Sequence, residues 1–208
     1  MKSWIEQPGF PLITARRQDR RLILTQGRFT YLPNDFDQKW LVPITISLFP
    51  KTGATRQVTT LLDKIEQEID LDEDILAYKI NAQQTGFYRT QYADTANMAE
   101  LGARVLEKSI PPEDRWGLEN DFFALVQSGA STLQDYLKFL SFYQKEEAYL
   151  PLTSMAHNLY SAYLVMDEHW RQKISSLATP RYEDILGKIG YDSGSGEKQT
   201  TSQFRDSL

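Results

Sequence analysis

The 208-residue chain contains no cysteine and only two histidines. The missing cysteine excludes disulfides, thiolate nucleophiles and cysteine-ligated metals, and it suits a reducing compartment. The histidines, His157 and His169, do not form the H-E-x-x-H pair that places two imidazoles on one helical face. We therefore predict no metal site on this chain.

The chain also lacks a net positive charge and long apolar runs. The net charge is −5 with a pI of about 5.2, and the one basic cluster is Arg16, Arg17, Arg20 and Arg21. A nucleic-acid binder normally carries a larger basic surface. The N-terminal "MKSWIEQPGF" lacks the apolar core of a signal peptide, and no apolar run approaches the ~20 residues of a membrane helix. We expect a soluble, cytoplasmic chain without nucleic-acid or membrane partners.

The first part of the chain has the two-residue apolar period of half-buried strands. Turn signals at 18–19, 33–35 and 51–53 separate the strand-like segments. These segments are PLITARR, RLILTQGRFTYL, WLVPITISLF, TRQVTTLL, AYKINA and GFYRTQY. The pattern predicts an antiparallel, immunoglobulin-like β-sandwich domain over residues 1–94.

After Asp94 the period becomes helical, so residues 95–208 are predicted to form an α-helical domain. Leu118, Phe122 and Leu125 stand at i, i+4 and i+7, and Leu133, Tyr136, Leu137 and Leu140 repeat at three- and four-residue steps. Ser128–Gly129 is predicted to end one helix, and Ser131 with Gln134 to cap the next. One long helix is expected from about Glu146 to Ile174, in which Pro151 would have to lie in the first turn or break the helix. A loop and a short helix, SQFRDSL, are expected after it. The predicted class is all-β followed by all-α.

Each residue that could have a catalytic or ligand-binding role can also be explained by a purely structural one. His169 follows Asp167 and Glu168, where an ion site is conceivable but a solvated helix end is preferred, and His157 reads as a packed or surface residue. The acidic residues Glu146, Glu147, Asp70, Asp72, Glu73 and Asp74 are interpreted as solvated faces or turns. Glu197 occupies the position where a phosphate-binding loop requires glycine. The aromatics Tyr136, Phe139, Phe142 and Tyr143 could form a ligand cage, but helical spacing favours core packing. We assign no catalytic, cofactor-binding or metal-binding residue.

The stretch "KINAQQTGFYRTQYAD", residues 79–94, raises the question of a binding site. We interpret it instead as sandwich structure. Asn81 and Gly86 would let two strands turn and approach closely, with Tyr88 and Tyr92 on one face and Phe87, Arg89 and Gln91 on the other. Arg89 is predicted to pair across the domain junction with Asp114 or Glu113.

Four segments together resemble, in the same order, the aminopeptidase N-type zinc metallopeptidases, the gluzincin family that includes puromycin-sensitive aminopeptidase. The segments are SWIEQPGFPLI (3–13), KINAQQTGFYRTQY (79–92), EDRWGLENDFFALVQSG (113–129) and LSFYQKEEAY (140–149). The matching residues are Trp4, Gln7, Gly9, Phe10 and Pro11, then Asn81, Gly86, Tyr88, Arg89 and Tyr92, then Asp114, Arg115, Leu118, Asp121, Phe123, Leu125 and Gly129. Pro151 and Leu152 depart from the family pattern, which commonly has an aromatic residue after E-x-x-Y.

The resemblance implies the region after the catalytic domain, a β-sandwich followed by the start of a helical superhelix. In the family, the zinc motif, its downstream glutamate and the tyrosine that stabilises the intermediate lie upstream, and none has a counterpart here. The implied cofactor is zinc in the parent enzyme, with none on this chain. The implied partners are the upstream catalytic domain, the remaining C-terminal helices and a peptide substrate.

Three hypotheses follow. The chain is a non-catalytic structural and substrate-gating part of a zinc aminopeptidase, or a free-standing peptide- or protein-binding module, or an enzyme that uses His157 or His169 with nearby acids. We favour the first. If the helical domain is incomplete, its uncovered apolar faces predict self-association of the isolated chain through the C-terminal helices.

Overall fold

The structure is a computed structural model that describes residues 2–32, 38–71, 74–192 and 194–206. The predicted turn at 33–35 and the acidic residues Asp72 and Glu73 lie outside the described residues. The chain divides into two compact units, Met1–Gln144 and Lys145–Leu208. Apart from a helix of four residues near the N-terminus, strands come first and helices follow, so the predicted all-β then all-α layout is confirmed. The proposed domain boundary at residue 94 stays a prediction.

The first unit begins with a short helix, α1 (Lys2–Ile5), followed by strands. The described strands are β1 (Pro11–Gln18), β2 (Arg21–Arg28), β3 (Val42–Pro50), β4 (Arg56–Leu62), β5 (Glu66–Asp70), β6 (Ile75–Ile80) and β7 (Arg89–Tyr92). Strand β5 is missing from the sequence prediction because its residues, EQEID, include a single apolar side chain, and that side chain is only half-buried. As an edge strand it needs little apolar surface and carries charge instead.

The strands form two sheets, ordered β5-β2-β1-β7 and β4-β3-β6. Every pairing is antiparallel except that of β1 with β7, which is parallel with Leu12 opposite Arg89. This parallel pair departs from the predicted antiparallel sandwich. Since β6 and β7 belong to different sheets, the chain between them crosses from one sheet to the other and does not form a hairpin.

The sandwich core consists of the inward-facing residues of both sheets. Val42, Ile44, Ile46 and Leu48 alternate along β3 and are all buried, as the two-residue period requires. Trp40 is fully buried, and its main chain is held by Gln26, whose side chain accepts from Trp40 N (2.8 Å) and donates to Trp40 O (3.0 Å). Each aliphatic side chain contributes about 1.5–3 kcal/mol by leaving water.

The first unit also contains the helices α2 (Thr95–Leu106), α3 (Pro112–Gln127) and α4 (Leu133–Phe139). The predicted end of α3 at Ser128–Gly129 is confirmed, because Ser128 is the C-cap and Gly129 has φ 77°. The cap of α4 is Thr132 and not Ser131. Thr132 Oγ1 accepts from Asp135 N (3.1 Å), so the N-cap lies one residue later than predicted.

The second unit consists of α5 (Tyr149–Val165), α6 (Glu168–Ile189) and α7 (Gln199–Asp206). The prediction of one helix through to Ile174 is wrong, because Asp167 caps a new helix by accepting from Trp170 N (3.1 Å). Pro151 lies in the first turn of α5, one of the two predicted alternatives. Helix α7 begins at Gln199, three residues before the predicted segment. Across the described part of the chain, no helix combines the length and apolarity needed to span a membrane.

Candidate functional site

The turn between β6 and β7 is built around the side chain of Asn81. Asn81 adopts the left-handed conformation, φ 62° and ψ 57°, which asparagine tolerates better than most residues. Its Oδ1 accepts from Gly86 N (2.7 Å), and its Nδ2 donates to Gly86 O (3.0 Å) and to Gln84 Oε1 (2.9 Å). One side chain thus closes the crossover, so the predicted role of Asn81 in a turn holds although the connected strands are not a pair.

Gly86 is required by close approach. A Cβ atom at this position would lie 2.1 Å from the ring of Tyr88, which leaves no room for a side chain. Tyr88 belongs to the buried sandwich core and Tyr92 packs against that core. Phe87 points the other way and is 72% exposed. The predicted separation of Phe87 from the two tyrosines is therefore observed.

Arg89 pairs with Asp121 and not with Asp114 or Glu113. Its Nη1 lies 3.0 Å from Asp121 Oδ1. The other carboxylate oxygen of Asp121 accepts from Thr90 N (2.9 Å) and Thr90 Oγ1 (2.7 Å). The prediction was wrong because Asp121 lies about two helical turns further along α3, which sequence spacing alone cannot place opposite β7.

Asp114 pairs instead with Lys79, a fully buried lysine on β6. Lys79 Nζ lies 2.9 Å from Asp114 Oδ1 and also donates to Ile80 O (3.0 Å) and Asn81 O (2.8 Å). Asp114 Oδ1 accepts a second bond from Gln83 N (2.6 Å). We call Lys79, Gln83, Arg89, Thr90, Asp114 and Asp121 the junction network, since it joins the strand region to α3.

Burial dominates the electrostatics of the junction network. It lowers the pKa of Lys79, and the nearby Asp114 carboxylate acts in the opposite direction. It raises the pKa of Asp121, against which Arg89 and the bonds from Thr90 act. A buried charge that loses its partner is costly, so each ion pair requires both of its members.

Sequence reasoning missed Lys79, Gln83 and Thr90 as members of the network. A signal was present for one of them, because Lys79 stands within the apolar strand AYKI, where a charged side chain needs a buried partner. Gln83 participates through its backbone N–H, a role that leaves no mark on residue type, and Thr90 participates through both its backbone N–H and its hydroxyl.

The junction network offers no room for a substrate. A cavity of about 70 Å³ lies beside it, lined by Thr90, Tyr92, Leu118, Asp121 and Phe122 among others. That volume is far below the roughly 300–1,000 Å³ of ordinary ligand pockets. The ionisable groups of the network are engaged with one another, and the arrangement fixes geometry rather than performing chemistry.

The histidines do not form a metal site with the acids near them. Asp167 is the N-cap of α6, and the ring of His169 contacts Trp170 at 5.7 Å between centroids. His157 is exposed on α5. Among the residues that the structure describes, no three histidine, aspartate or glutamate side chains lie together in a way suited to a metal ion.

The acidic residues set aside in the sequence have structural partners. The buried Glu146 accepts from Glu147 N (3.0 Å) and Ala148 N (2.9 Å) at the start of α5. Asp70 and Asp74 lie near Arg21 (3.5 Å) and Lys51 (3.7 Å), with exposed side chains.

The aromatics of α4 and the 3₁₀ turn after it form part of the helical core. Phe139 contacts Phe122, Phe142 and Tyr143 at centroid distances of 5.4–5.8 Å. Tyr136 and Tyr143 are fully buried, and Tyr143 OH donates to Arg115 O (2.6 Å) while Tyr136 OH donates to Glu119 Oε1. These rings fill space between helices and form no open cage.

Residues 77–208 match the family model of the ERAP1-like C-terminal domain. The chain belongs to this family. The matched range contains both sides of the junction network. The match also confirms the resemblance to the C-terminal region of aminopeptidase N-type enzymes.

Among the curated relatives of this ERAP1-like C-terminal domain chain, two are aminopeptidases by name and one is named as a protease-interacting factor. It is 28% identical to "Aminopeptidase M1" of Arabidopsis thaliana, over 99% of this chain and 25% of that protein. It is 24% identical to "Leucyl aminopeptidase" of Saccharolobus solfataricus, over 91% of this chain and 25% of that protein. It is 29% identical to "Tricorn protease-interacting factor F2" of Thermoplasma volcanium, over 99% of this chain and 24% of that protein. The chain thus spans about a quarter of the length of these relatives.

Proposed function

We propose that this chain is a non-catalytic structural and substrate-gating part of a zinc aminopeptidase that removes N-terminal residues from peptides. The observation that carries the proposal is the family match over residues 77–208, together with relatives named aminopeptidases. The partners are the upstream catalytic domain, further C-terminal helices and the peptide substrate. A cytoplasmic location belongs to the same proposal.

The junction network supports a structural role in which α3 is fixed to the strand region. Two carboxylates at i and i+7 of α3 hold β6, the crossover turn and the start of β7, and both carboxylates are buried. Buried ion pairs with complete hydrogen bonding favour one geometry over its alternatives. A helix held in this way keeps one position against the strand region, and a rigid base of this kind suits the proposed gating role.

Zinc would be supplied by another part of the parent. The described residues of this chain do not fit a zinc site, since no three suitable ligands lie together. In the parent, zinc would activate water for attack on the first peptide bond. This chain would contribute closure around the substrate, which excludes bulk water and selects peptides.

The mass of the native protein tests the assignment. Mass spectrometry of peptides from the source cells should find this sequence in a product several times larger than 24.0 kDa. The same product should contain an upstream H-E-x-x-H segment. A native product of 24.0 kDa without that motif would refute the assignment.

The gating role needs its own test in the intact parent. Replacing Asp121 by Asn loosens the junction network, so we expect altered selectivity for peptide length with unchanged turnover of a single-residue amide substrate. Equal effects on both substrates would argue against gating.

An exposed apolar face favours a second candidate, a free-standing peptide- or protein-binding module. Tyr160 and Leu164 on α5 are 62% and 54% exposed. Such a module would bind a hydrophobic dye through this face and would lack an upstream catalytic region. A stable 24.0 kDa monomer that binds no dye would exclude it.

A further inference from the structure

The backbone of the crossover turn between β6 and β7 is strained. Among the residues that the structure describes, five residues other than glycine have a positive φ, and three of these lie within four positions of this turn. They are Asn81 (φ 62°), Gln83 (φ 58°) and Gln84 (φ 53°). Asparagine enters this left-handed region more readily than most residues, because its short side chain can bond locally, but glutamine does not share that advantage. The surrounding structure must therefore hold both glutamines in place.

Helix α3 supplies contacts that hold the two strained glutamines. Asp114 Oδ1 accepts from Gln83 N (2.6 Å). Further along the helix, Gly117 leaves space for the side chain of Gln84, because a Cβ atom at position 117 would lie 1.5 Å from Gln84 Nε2. Asp114 and Gly117 are three residues apart, so they lie on the same face of α3. One face of the helix therefore contacts both glutamines.

Hydrogen bonds inside the turn link its residues to one another. Asn81 Oδ1 accepts from Gly86 N (2.7 Å), and Asn81 Nδ2 donates to Gln84 Oε1 (2.9 Å). The main chain adds a bond from Gln84 N to Asn81 O (3.0 Å). Because these bonds share Asn81, we expect them to form and break together.

We propose that residues 81–86 form a strained latch, which opens as one unit and frees the N-terminal part of α3 from the turn while the sandwich stays folded. In the closed state, Asp114 and Gly117 hold the glutamines at positive φ. In the open state, both glutamines relax to ordinary φ values, and the released strain offsets part of the lost contacts. An element with two such arrangements is the basis of a conformational switch. The inference does not depend on the proposed function, because it concerns contacts within this chain.

Native-state hydrogen exchange of the 208-residue chain, read by NMR in low concentrations of urea, tests the latch. The N–H groups of Gln83, Gln84 and Gly86 should exchange through one shared opening, with the same free energy and the same dependence on urea. The open latch should be at least about tenfold more populated than the unfolded chain, which the N–H of fully buried Trp40 reports. Three unrelated openings would overturn the proposal, as would exchange of all three groups only by global unfolding.

Two variants at Gln83 separate backbone strain from the loss of a side chain. Gln83→Gly and Gln83→Ala both remove an exposed side chain and keep the N–H that Asp114 accepts. Glycine adopts a positive φ without strain but is also freer in the open state, so Gln83→Gly should lower the population of the open latch about two- to fivefold. Gln83→Ala keeps the Cβ and the strain and should leave that population unchanged. Equal effects of the two variants would refute strain as the cause.

Gln134 is the matched control position. It is an exposed glutamine in the right-handed helix α4. Glycine is less favourable than alanine in a helix, so Gln134→Gly should be less stable than Gln134→Ala, the opposite order to that at Gln83. The same order at both positions would contradict the proposal.

Gly117→Ala tests the contact between α3 and the latch. The new Cβ needs the space that Gln84 Nε2 occupies, so exchange of Gln83 and Gly86 N–H should become faster together. In a background of Gln84→Ala, which vacates that space, Gly117→Ala should have little further effect. Circular dichroism verifies that the variants remain folded. If Gly117→Ala acts equally with and without the Gln84 side chain, α3 does not hold the latch through this contact and the proposal fails.

Discussion

Replacing Asp121 by Asn tests whether the junction network holds α3 against the strands. The side-chain oxygen of the asparagine can keep both hydrogen bonds from Thr90. The asparagine NH₂ group then faces Arg89, and two hydrogen-bond donors meet where a carboxylate oxygen accepted before. One charge-assisted hydrogen bond is lost, at about 1.5–3 kcal/mol. The Arg89 side chain is 22% exposed and can relax toward water, which keeps the cost below the ~3–5 kcal/mol of breaking a fully buried pair. We expect a loss of about 2–3 kcal/mol.

Urea denaturation followed by circular dichroism measures this loss as a fall in the free energy of unfolding. Asp70→Asn is the control, because Asp70 also lies near an arginine, Arg21, but its side chain is 85% exposed. Exposed pairs contribute about 0–1 kcal/mol. If Asp121→Asn and Asp70→Asn change stability equally, the junction network does not stabilise the unit and the reasoning fails.

Three further predictions concern other contacts. Lys79→Met removes the cation that pairs with buried Asp114 and should lower the free energy of unfolding by about 3–5 kcal/mol. In a double-mutant cycle, the double variant with Asp114→Leu should lose less than the sum of the two single losses. Gly102→Ala places a Cβ 2.4 Å from the Phe142 ring and should destabilise the protein by about 1–3 kcal/mol. Gly187→Ala places its Cβ where no atom lies within 4 Å, so it should stabilise the protein by up to about 1 kcal/mol in thermal unfolding. Hydrogen bonding from Arg205 lowers the pKa of Glu197 below its ordinary value of 4.5. The Glu197–Arg205 contact therefore stabilises α7 fully at pH values above 4.5, and this stabilisation is lost as the pH falls through the lowered pKa. Hydrogen exchange of α7 should show this acid-dependent opening in the native chain and not in Glu197→Gln, and an unchanged acid profile in that variant would contradict it.

Arg89 shows why part of the candidate site could be predicted and part could not. It was predicted to pair with Asp114 or Glu113, and it pairs instead with Asp121 of the same helix, α3. The choice among Glu113, Asp114 and Asp121 depended on where α3 lies along β7, and no local pattern encodes that distance. Asp114 pairs with Lys79, because β6 and the crossover turn bring Lys79 and Asp114 together at one buried point.

Some helix boundaries could likewise be predicted from the sequence and others could not. Pro151 and Gly129 act through their own backbone preferences, and their positions in the helices were predicted. The break between α5 and α6 was missed because the apolar period continues past Met166, although Asp167 is a good N-cap residue. Strand β5 was missed because edge strands need little apolar surface.

The sequence by itself determined the order of strands and helices, most of their positions and the family resemblance, because periodicity and turn chemistry act between neighbouring residues. The tertiary structure alone decided that β7 pairs with β1 in parallel, that β6 and β7 lie in different sheets, and which aspartate each buried cation meets. These choices depend on contacts between residues far apart in the chain. Their energies come from burial and desolvation, which exist only once the sheets and helices have packed.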